Sequence, residues 1–321
     1  MKKILAVSLA LAMTLILLMS CQSNQQQQSP APDSPIRIAT LAGPTGMGIV
    51  RLMDNDAYEI SIYSTPDQIT PKVISGEVDA ATIPSNVAAV LYNKMNGGIK
   101  IVAINTTGVL YILENGDTVN SIDDLSGKTL YATGQGATPE YALEKILAHN
   151  GVSDTDVKYM GAHADLANAM AAGDVALALL PEPFVSTVLS KNPAVTVKID
   201  INDEWQKIYG EEAGMPMGVT IVSSEFAENK AAMERLIADY SASVLYVTDK
   251  TSNAAADIAA EKIVGSEDIA KAAIPRSGIS FIIGPSCKKI LDDYFALMYE
   301  SNPDSLGGSV PAEDIFFMPQ N

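Results

Sequence analysis

The sequence predicts an α/β protein of two lobes, in which mostly parallel sheets are flanked by helices. Two observations support this fold class: β-prone runs alternate with helical spacing along the chain, and one string of elements occurs twice. In each copy a glycine ends a helix and a small-residue strand then runs to a proline, as in GEVDAATIP from Gly76 and GDVALALLP from Gly173. Glycines and prolines share an offset of 97 residues (173 − 76 and 181 − 84), so the two lobes are predicted to share one plan.

Length, composition and charge agree with a packed globular protein. The chain has 321 residues, of which 47% are hydrophobic and 18% charged, enough for two apolar cores. The formal net charge is −17 at pH 7. Because nucleic acids are held mainly by neutralising their phosphates with basic side chains, we expect no nucleic-acid partner.

The first 35 residues predict export and a lipid anchor. Lys2 and Lys3 precede an apolar run, and residues 1–20 read as a signal peptide. The segment Leu18-Met19-Ser20-Cys21 resembles the bacterial lipoprotein signal, in which the cysteine becomes the lipidated first residue. Residues 21–35, rich in glutamine and proline, are predicted to be a flexible tether. We therefore expect an extracytoplasmic protein anchored to the bacterial cell membrane through palmitate on Cys21.

The elements of the first lobe follow from spacing and from turn residues. Residues 36–40 form an apolar strand that leads into a glycine-rich turn at 43–48, and a helix is expected after Gly48. Residues 58–64 alternate as a second strand. Pro66 opens a short helix that Gly76 ends, and the small-residue strand of the first repeat copy follows it. Residues 100–105 form a further strand, and residues 109–114, VLYILE, are predicted to pass into the second lobe.

The second lobe begins with a capped turn at residues 121–126 and a strand at 129–132. After the second repeat copy we predict a strand at 195–201, a helical turn at 204–209 and a returning strand at 217–223. Apolar spacing makes residues 225–248, 252–264 and 291–299 helical, and residues 310–317 an extended tail along the first lobe. The predicted lobes are residues 36–110 with 220–321, and residues 111–219.

A glycine-rich turn between the strand at 129–132 and the next helix is the strongest candidate for a ligand contact. Gly134 and Gly136 allow the backbone to approach a ligand closely, and Thr138-Pro139 place a capping hydroxyl before a proline at the first helical position. The free amides of that first turn suit an anion or a polar acceptor. In sheets of this kind ligands bind beyond the carboxyl ends of the strands. We therefore expect one edge of each sheet to face the other across a cleft, lined by the loops at 43–47, 84–86, 106–108, 133–138 and 181–182.

The residues that most enzymes need are absent from the sequence. The histidines are His149 and His163, each predicted to be a surface residue, and no metal-ligand spacing of Cys and His occurs. There is no nucleophile elbow and no phosphate-binding GxxxxGK[ST] motif. We expect no cofactor, no metal and no bond-breaking chemistry. Glu182, between two prolines, is either an acceptor for a ligand amine or hydroxyl or a solvated loop acid, and Arg276 is expected to pair with an acidic residue.

The chain resembles the substrate-binding lipoproteins of bacterial ABC importers, in the branch of nitrate, sulfonate and taurine binders and of NMT1/THI5-like proteins. The likeness rests on IRIATLAGPTG at 36–46, ISGEVDAATIPSNVAAVL at 74–91, SIDDLSGKTLYATGQGATPEYALEKILAHNGV at 121–152 and AAGDVALALLPEPF at 171–184. It implies a type II periplasmic-binding-protein fold and delivery of a small molecule to a permease and its ATPase, by a monomer. With Glu182 added from the analysis above, the candidate ligand-binding residues are Thr45, Gly46, Met47, Ser85, Asn86, Thr106, Gly108, Thr133, Gly134, Gln135, Gly136, Ala137, Thr138 and Glu182.

The chemical class of the ligand stays open between two alternatives. No arginine lies in the predicted cleft loops, which argues against a strongly anionic sulfonate, although helix amides can hold an anion. A pyrimidine-like heterocycle suits Glu182 and the nearby tyrosines better. Two other functions remain: an enzyme of menaquinone or thiamine biosynthesis on the same scaffold, and a sensing lipoprotein without a permease.

Overall fold

A computed structural model describes residues 34–210, 214–249 and 251–319. The predicted signal peptide, nearly all of the predicted tether and the lipidation residue Cys21 lie outside the described residues. Both sheets of the fold belong to one unit, Pro35–Asn321.

Eleven strands form two sheets in the described part of the chain. The first sheet has the order β11-β4-β10-β3-β1-β2, and the second has the order β7-β6-β8-β5-β9. The strands of the first sheet are β1 Ile36–Leu41, β2 Tyr58–Tyr63, β3 Ala80–Pro84, β4 Ile99–Thr107, β10 Pro216–Ser223 and β11 Ile279–Ile283. Those of the second are β5 Leu110–Asn115, β6 Thr129–Thr133, β7 Asp156–Met160, β8 Leu177–Pro181 and β9 Val195–Asp200.

The repeat read from the sequence is present in the fold. Strands β3 and β8 are offset by 97 residues at both ends (177 − 80 and 181 − 84), and the glycines before them, Gly76 and Gly173, end their helices with positive φ angles of 72° and 88°. Five strands of each sheet also share one spatial order. The order β4-β10-β3-β1-β2 in the first sheet corresponds to β9-β5-β8-β6-β7 in the second. The prediction of a common plan is confirmed.

The sheets are mixed, and not mostly parallel as predicted. β1 runs parallel to β2 and β3, and β6 runs parallel to β7 and β8. β10 is antiparallel to β3 and β4, and β5 is antiparallel to β8 and β9. The reason is the exchange of strands: β5 and β10 each enter a sheet from the other one, so neither is joined to its neighbours by the crossover within one sheet that makes strands parallel.

Helices cover the faces of the sheets. α2 has the predicted bounds, whereas the helix predicted after Gly48 is reduced to α1 and a 3₁₀ turn at Val50–Leu52, since glycines at 46 and 48 disfavour a longer helix. In the described residues the helices are α1 Pro44–Met47, α2 Pro66–Ser75, α3 Ser85–Lys94, α4 Thr138–His149, α5 His163–Ala172, α6 Phe184–Lys191, α7 Ile201–Tyr209, α8 Lys230–Asp249, α9 Thr251–Ala260, α10 Glu267–Ala273 and α11 Gly284–Ser301.

The chain passes between the sheets twice, at residues 108–109 and again between α7 and β10. The predicted crossing strand β5 lies wholly in the second sheet, and the predicted boundary between residues 219 and 220 falls inside β10. We propose lobe 1, the first sheet with α1–α3 and α8–α11, and lobe 2, the second sheet with α4–α7. The predicted C-terminal tail does pair with lobe 1, where the Phe317 amide donates to the Ile101 carbonyl.

One apolar cluster joins the two lobes. It contains Ile83 and Leu91 from lobe 1, Leu130 and Ile146 from lobe 2, and Trp205 of α7, all buried. The lobes therefore share part of their core near α4, α7 and α11, while their remaining faces are packed separately. This shared core leaves the loops beyond the strand ends as the place where the lobes can face each other across a ligand.

Candidate functional site

The first glycine-rich loop follows β1 and turns directly into α1. Gly43 has a φ of 89°, and a Cβ atom on Gly46 would lie 2.1 Å from the Leu41 carbonyl oxygen, so the turn itself requires Gly46. Met47 is fully buried in an apolar cluster with α9 and α10 and is a core residue, which argues against its predicted role in ligand binding. Thr45 is half-buried and has no hydrogen-bonding partner among the described residues.

α3 begins directly after β3, and its first two residues, Ser85 and Asn86, have different roles. The Ser85 hydroxyl is fully buried and donates to the Pro216 carbonyl at 2.6 Å, so it ties α3 to β10. Asn86 is half-buried, and its amide has no partner in the described part of the chain. Its donors and acceptor are therefore available to a ligand.

The residues at the end of β4 and in the loop after it make hydrogen bonds and close contacts within the protein, where the chain crosses between the sheets. The Thr106 hydroxyl donates to Asn105 Oδ1 at 2.9 Å, and the Gly108 amide donates to the Met215 carbonyl at 2.9 Å. A Cβ atom on Gly108 would lie 2.3 Å from the Asn202 side chain, at a φ of 44°. The glycine is thus explained by close packing where the chain crosses, and not by the approach of a ligand.

The second glycine-rich loop follows β6 and differs from the prediction at the start of α4. Ala137 is the N-cap and Thr138 the first helical residue, so Thr138 does not cap the helix as predicted. Its buried hydroxyl instead shares a hydrogen bond with Tyr294 of α11, at 2.5 Å. The Gly136 amide donates to Glu140 Oε2 at 2.6 Å, which places a carboxylate of the protein itself where an anion was predicted.

The remaining residues of this loop divide between packing and exposure. A Cβ atom on Gly134 would lie 2.7 Å from the Pro139 ring, so this glycine is required by the turn onto α4. Gln135 is exposed and has no partner in the described segments. The Thr133 hydroxyl, 2% exposed, is bonded to a ring nitrogen of His163.

Glu182 is neither a free acceptor for a ligand nor a solvated loop acid. Its carboxylate accepts from Arg276 Nε at 2.6 Å and from the amide and hydroxyl of Ser186, and its side chain is fully buried. Burial raises the pKa of Glu182 above its usual value, although Arg276 and Ser186 oppose that shift. The expectation that Arg276 pairs with an acidic residue is confirmed, and the ligand role predicted for Glu182 is not supported.

Several contacts connect lobe 1 to lobe 2 beside these loops. The Tyr111 hydroxyl donates to the Arg276 carbonyl at 3.0 Å, and Gly43 lies beside Pro183. Elsewhere the Tyr294 hydroxyl bonds to Thr138 of lobe 2 and lies next to Ser85 of lobe 1. Burial raises the pKa of Tyr294 to about 12, so its hydroxyl stays protonated. These contacts bring the carboxyl-end loops of the two sheets together.

His163 is a polar residue of this edge that the sequence analysis placed on the surface. It begins α5 directly after β7, and its ring lies 5.4 Å from the ring of Phe184, which begins α6. Burial lowers the pKa of His163, so the imidazole is neutral at pH 7. Its position after a parallel strand was the signal that could have identified it, since such loops meet at one edge of the sheet.

A groove of about 1180 Å³ lies between α7 and α11, away from these loops. Trp205, Tyr209, Ile290 and Leu297 line it, and none of the predicted site residues does. It runs along helix sides and not at strand ends. We therefore place the candidate site at the strand-end loops.

Within the described segments, no group of three or more His, Cys, Asp or Glu side chains could hold a metal ion. In the same segments, no helix is long and apolar enough to cross a membrane.

The sequence model named VitK2_biosynth and described as menaquinone biosynthesis matches residues 44–300. No curated protein matches the sequence.

Three solved structures with the same fold are described as transport or solute-binding proteins. An ABC transporter protein from Parabacteroides distasonis has a TM-score of 0.78 at 22% identity, over 90% of this chain and 99% of that one. The periplasmic aliphatic sulphonate binding protein SsuA from Escherichia coli has a TM-score of 0.69 at 15% identity, over 89% and 93%. The alkanesulfonate-binding protein SsuA from Xanthomonas axonopodis pv. citri, bound to MOPS, has a TM-score of 0.65 at 14% identity, over 90% and 100%. The predicted two-lobe periplasmic-binding-protein fold is confirmed.

Proposed function

This chain belongs to the VitK2_biosynth family, and we propose that it is an extracytoplasmic solute-binding lipoprotein of an ABC importer. It would capture a small organic solute between its lobes, either a sulfonate- or nitrate-type anion or a thiamine-pyrimidine-like heterocycle, and deliver it to a permease with its ATPase. Closure of the lobes would bury the solute and set the conformation that the permease meets.

One observation carries this proposal: polar side chains at the strand ends of the two sheets have no partner in the described protein. Thr45 and Asn86 follow β1 and β3 in lobe 1, and Gln135 follows β6 in lobe 2. Buried or half-buried polar groups normally find partners within the protein, so Thr45 and Asn86, which are half-buried without one, are available for a ligand. Gln135 is exposed and adds a side-chain amide without a described partner on the facing lobe. We therefore predict that Thr45, Asn86 and Gln135 contact the solute.

We expect Asn86→Ala to weaken solute binding about tenfold while changing the stability of the solute-free protein little, since its amide makes no bond within the described protein. Native mass spectrometry of protein purified from its host would identify the co-purified solute, and isothermal titration would give its affinity. Asn120→Ala, at an exposed position in the turn before β6, is the matched control. Equal affinity of the Asn86→Ala variant and the control would contradict this placement.

The alternative is an enzyme of menaquinone or thiamine biosynthesis, favoured by the description of the family model. Turnover of the identified solute by the purified protein would support it, and binding without turnover would support transport. The lipid anchor has its own test, because fatty-acid labelling in the host should be lost in Cys21→Ser. A sensing lipoprotein is distinguished by solute uptake that continues when the gene is deleted.

A further inference from the structure

The carboxyl edge of the second sheet contains an aromatic pair that the proposed function has not used. His163 and Phe184 begin two neighbouring helices, α5 and α6, and their rings are tilted by 40° with centroids 5.4 Å apart. Both residues are half-buried. They lie at the same edge of the sheet as Thr133 and Gln135, which belong to the proposed site.

The orientation of the His163 ring is fixed by its own hydrogen bond. Nδ1 shares a bond with the Thr133 hydroxyl, which is itself 2% exposed at the end of β6. The second ring nitrogen, Nε2, has no hydrogen-bonding partner in the described part of the chain. Because it is not fully buried, a ligand can reach it. A histidine held by one nitrogen with the other one free is oriented to bind a ligand atom.

The charges at this edge decide between the two ligand classes. Arg276 is held by the Glu182 carboxylate, and the Gly136 amide at the start of α4 is held by the Glu140 carboxylate. These two groups, each of which could have balanced an anion, are thus occupied by acids of the protein. His163 adds no positive charge at pH 7, because burial in this apolar setting lowers its pKa and no charged neighbour contributes to that shift.

We propose that His163 and Phe184 form a subsite for an uncharged planar ring that carries a hydrogen-bonding substituent. The ring of the solute packs against Phe184, and a polar atom at its edge bonds to His163 Nε2. This inference rests on the proposed solute-binding function and selects the heterocycle over the sulfonate- or nitrate-type anion. An aliphatic sulfonate would gain nothing from an aromatic surface, and the neutral imidazole of His163 would not balance its charge.

The chain offers a direct spectroscopic test, because it contains two histidines, His149 and His163. His149 lies exposed in the last turn of α4, so His149→Gln leaves one imidazole signal and serves as the matched control. Three probes are added in turn to the full protein: the uncharged 4-amino-5-hydroxymethyl-2-methylpyrimidine, ethanesulfonate and nitrate. The Cε1 proton of His163 is followed by NMR, and affinities are measured by calorimetry.

We expect the aminopyrimidine to shift the His163 signal, and ethanesulfonate and nitrate to leave it unchanged. His163→Leu and Phe184→Leu should each weaken aminopyrimidine binding tenfold or more, His163→Gln should retain part of the affinity, and His149→Gln should retain all of it. His163→Gln keeps a hydrogen-bonding partner near Thr133, so it separates loss of binding from loss of folding.

Three results would overturn the subsite. They are unchanged affinity in His163→Leu, binding of ethanesulfonate or nitrate at His163, and no shift with any of the three probes. If the solute co-purified from the host still stabilises the protein in any of these cases, the solute-binding function survives and the subsite alone is wrong. If that solute also fails to stabilise the protein against heat, the proposed function fails with it.

Discussion

Glu114 shows how one buried carboxylate can link the stability of lobe 2 to pH. It lies in β5, 5% exposed, and accepts bonds from the Thr118 amide and hydroxyl and from the Val119 amide. Burial alone would raise the pKa of Glu114, but these bonds and the nearby ammonium of Lys198 outweigh it, so the pKa is lowered. A lowered folded-state pKa stabilises the fold above the unfolded value of about 4.3, and this contribution is lost as pH falls through the folded value.

We therefore predict that Glu114→Gln lowers the free energy of unfolding at pH 7 by about 1–3 kcal/mol, because the amide cannot accept all of these bonds. As the pH falls below the unfolded value of about 4.3, the difference from the parent protein should shrink, since the stabilisation by the charged carboxylate is lost toward its lowered folded-state pKa. Urea unfolding between pH 3 and pH 7 measures both effects, with exposed Glu225→Gln as the control. A constant difference across this range would contradict the prediction.

At the scale of the residue, the sequence predicts which polar groups lie at the strand ends better than it predicts their hydrogen-bonding partners. It places hydroxyl, amide and carboxylate groups at the strand ends, because strand-to-helix loops carry turn residues of recognisable type. It does not show that Glu182 is held by Arg276, 94 residues away, or that the Thr138 hydroxyl bonds to Tyr294 and not to its own helix. Partners of this kind depend on which distant elements the fold brings together.

The crossing between the sheets depends on a glycine that the sequence analysis did not single out. Gly278, just before β11, has a φ of 53°, and a Cβ atom there would lie 1.3 Å from the Thr107 carbonyl oxygen. Its own carbonyl accepts from the Thr107 amide at 2.8 Å. The backbones of two distant segments therefore touch at this point, with no room for a side chain.

We predict that Gly278→Ala lowers the free energy of unfolding by about 2–4 kcal/mol, through overlap with Thr107 and the strained φ angle. Gly265→Ala is the matched control, since a Cβ atom there meets nothing within 4 Å, and its effect should stay within about 0.5 kcal/mol. Urea denaturation of the two variants makes the comparison. Similar losses in both would show that the close contact does not constrain the fold.

At the scale of the element, periodicity and turn residues predict most of the chain, and β11 shows the limit. The bounds of α2 and the paired strands β3 and β8 follow from glycine and proline positions. The run ISFII of β11 does not alternate, and all five of its residues are half-buried against a single neighbouring strand, β4. A short apolar run without alternation is equally consistent with a helix, so its strand pairing is invisible until β4 is in place.

In the described residues, two ion pairs of unequal burial connect the lobes beside their shared apolar core. Glu182 and Arg276 join lobe 2 to lobe 1 at 2.6 Å with the carboxylate fully buried, whereas Lys145 and Glu300 meet at 3.4 Å with the lysine half-buried and the carboxylate exposed. The exposed pair is screened by water and is worth at most about 1 kcal/mol. Removing Arg276 would instead leave Glu182 as an uncompensated buried charge, which costs about 3–5 kcal/mol.

We predict that Arg276→Met shifts the solute-free protein toward an open arrangement, because separating the lobes returns the unpaired Glu182 carboxylate to water. Small-angle X-ray scattering should show a larger radius of gyration for this variant, and Lys145→Gln should match the parent. Adding Glu182→Gln to Arg276→Met removes the buried charge, so the double variant should regain much of the compactness. If Arg276→Met scatters like the parent while remaining folded by circular dichroism, the lobes are held by their shared apolar core, and the ion pair only accompanies closure.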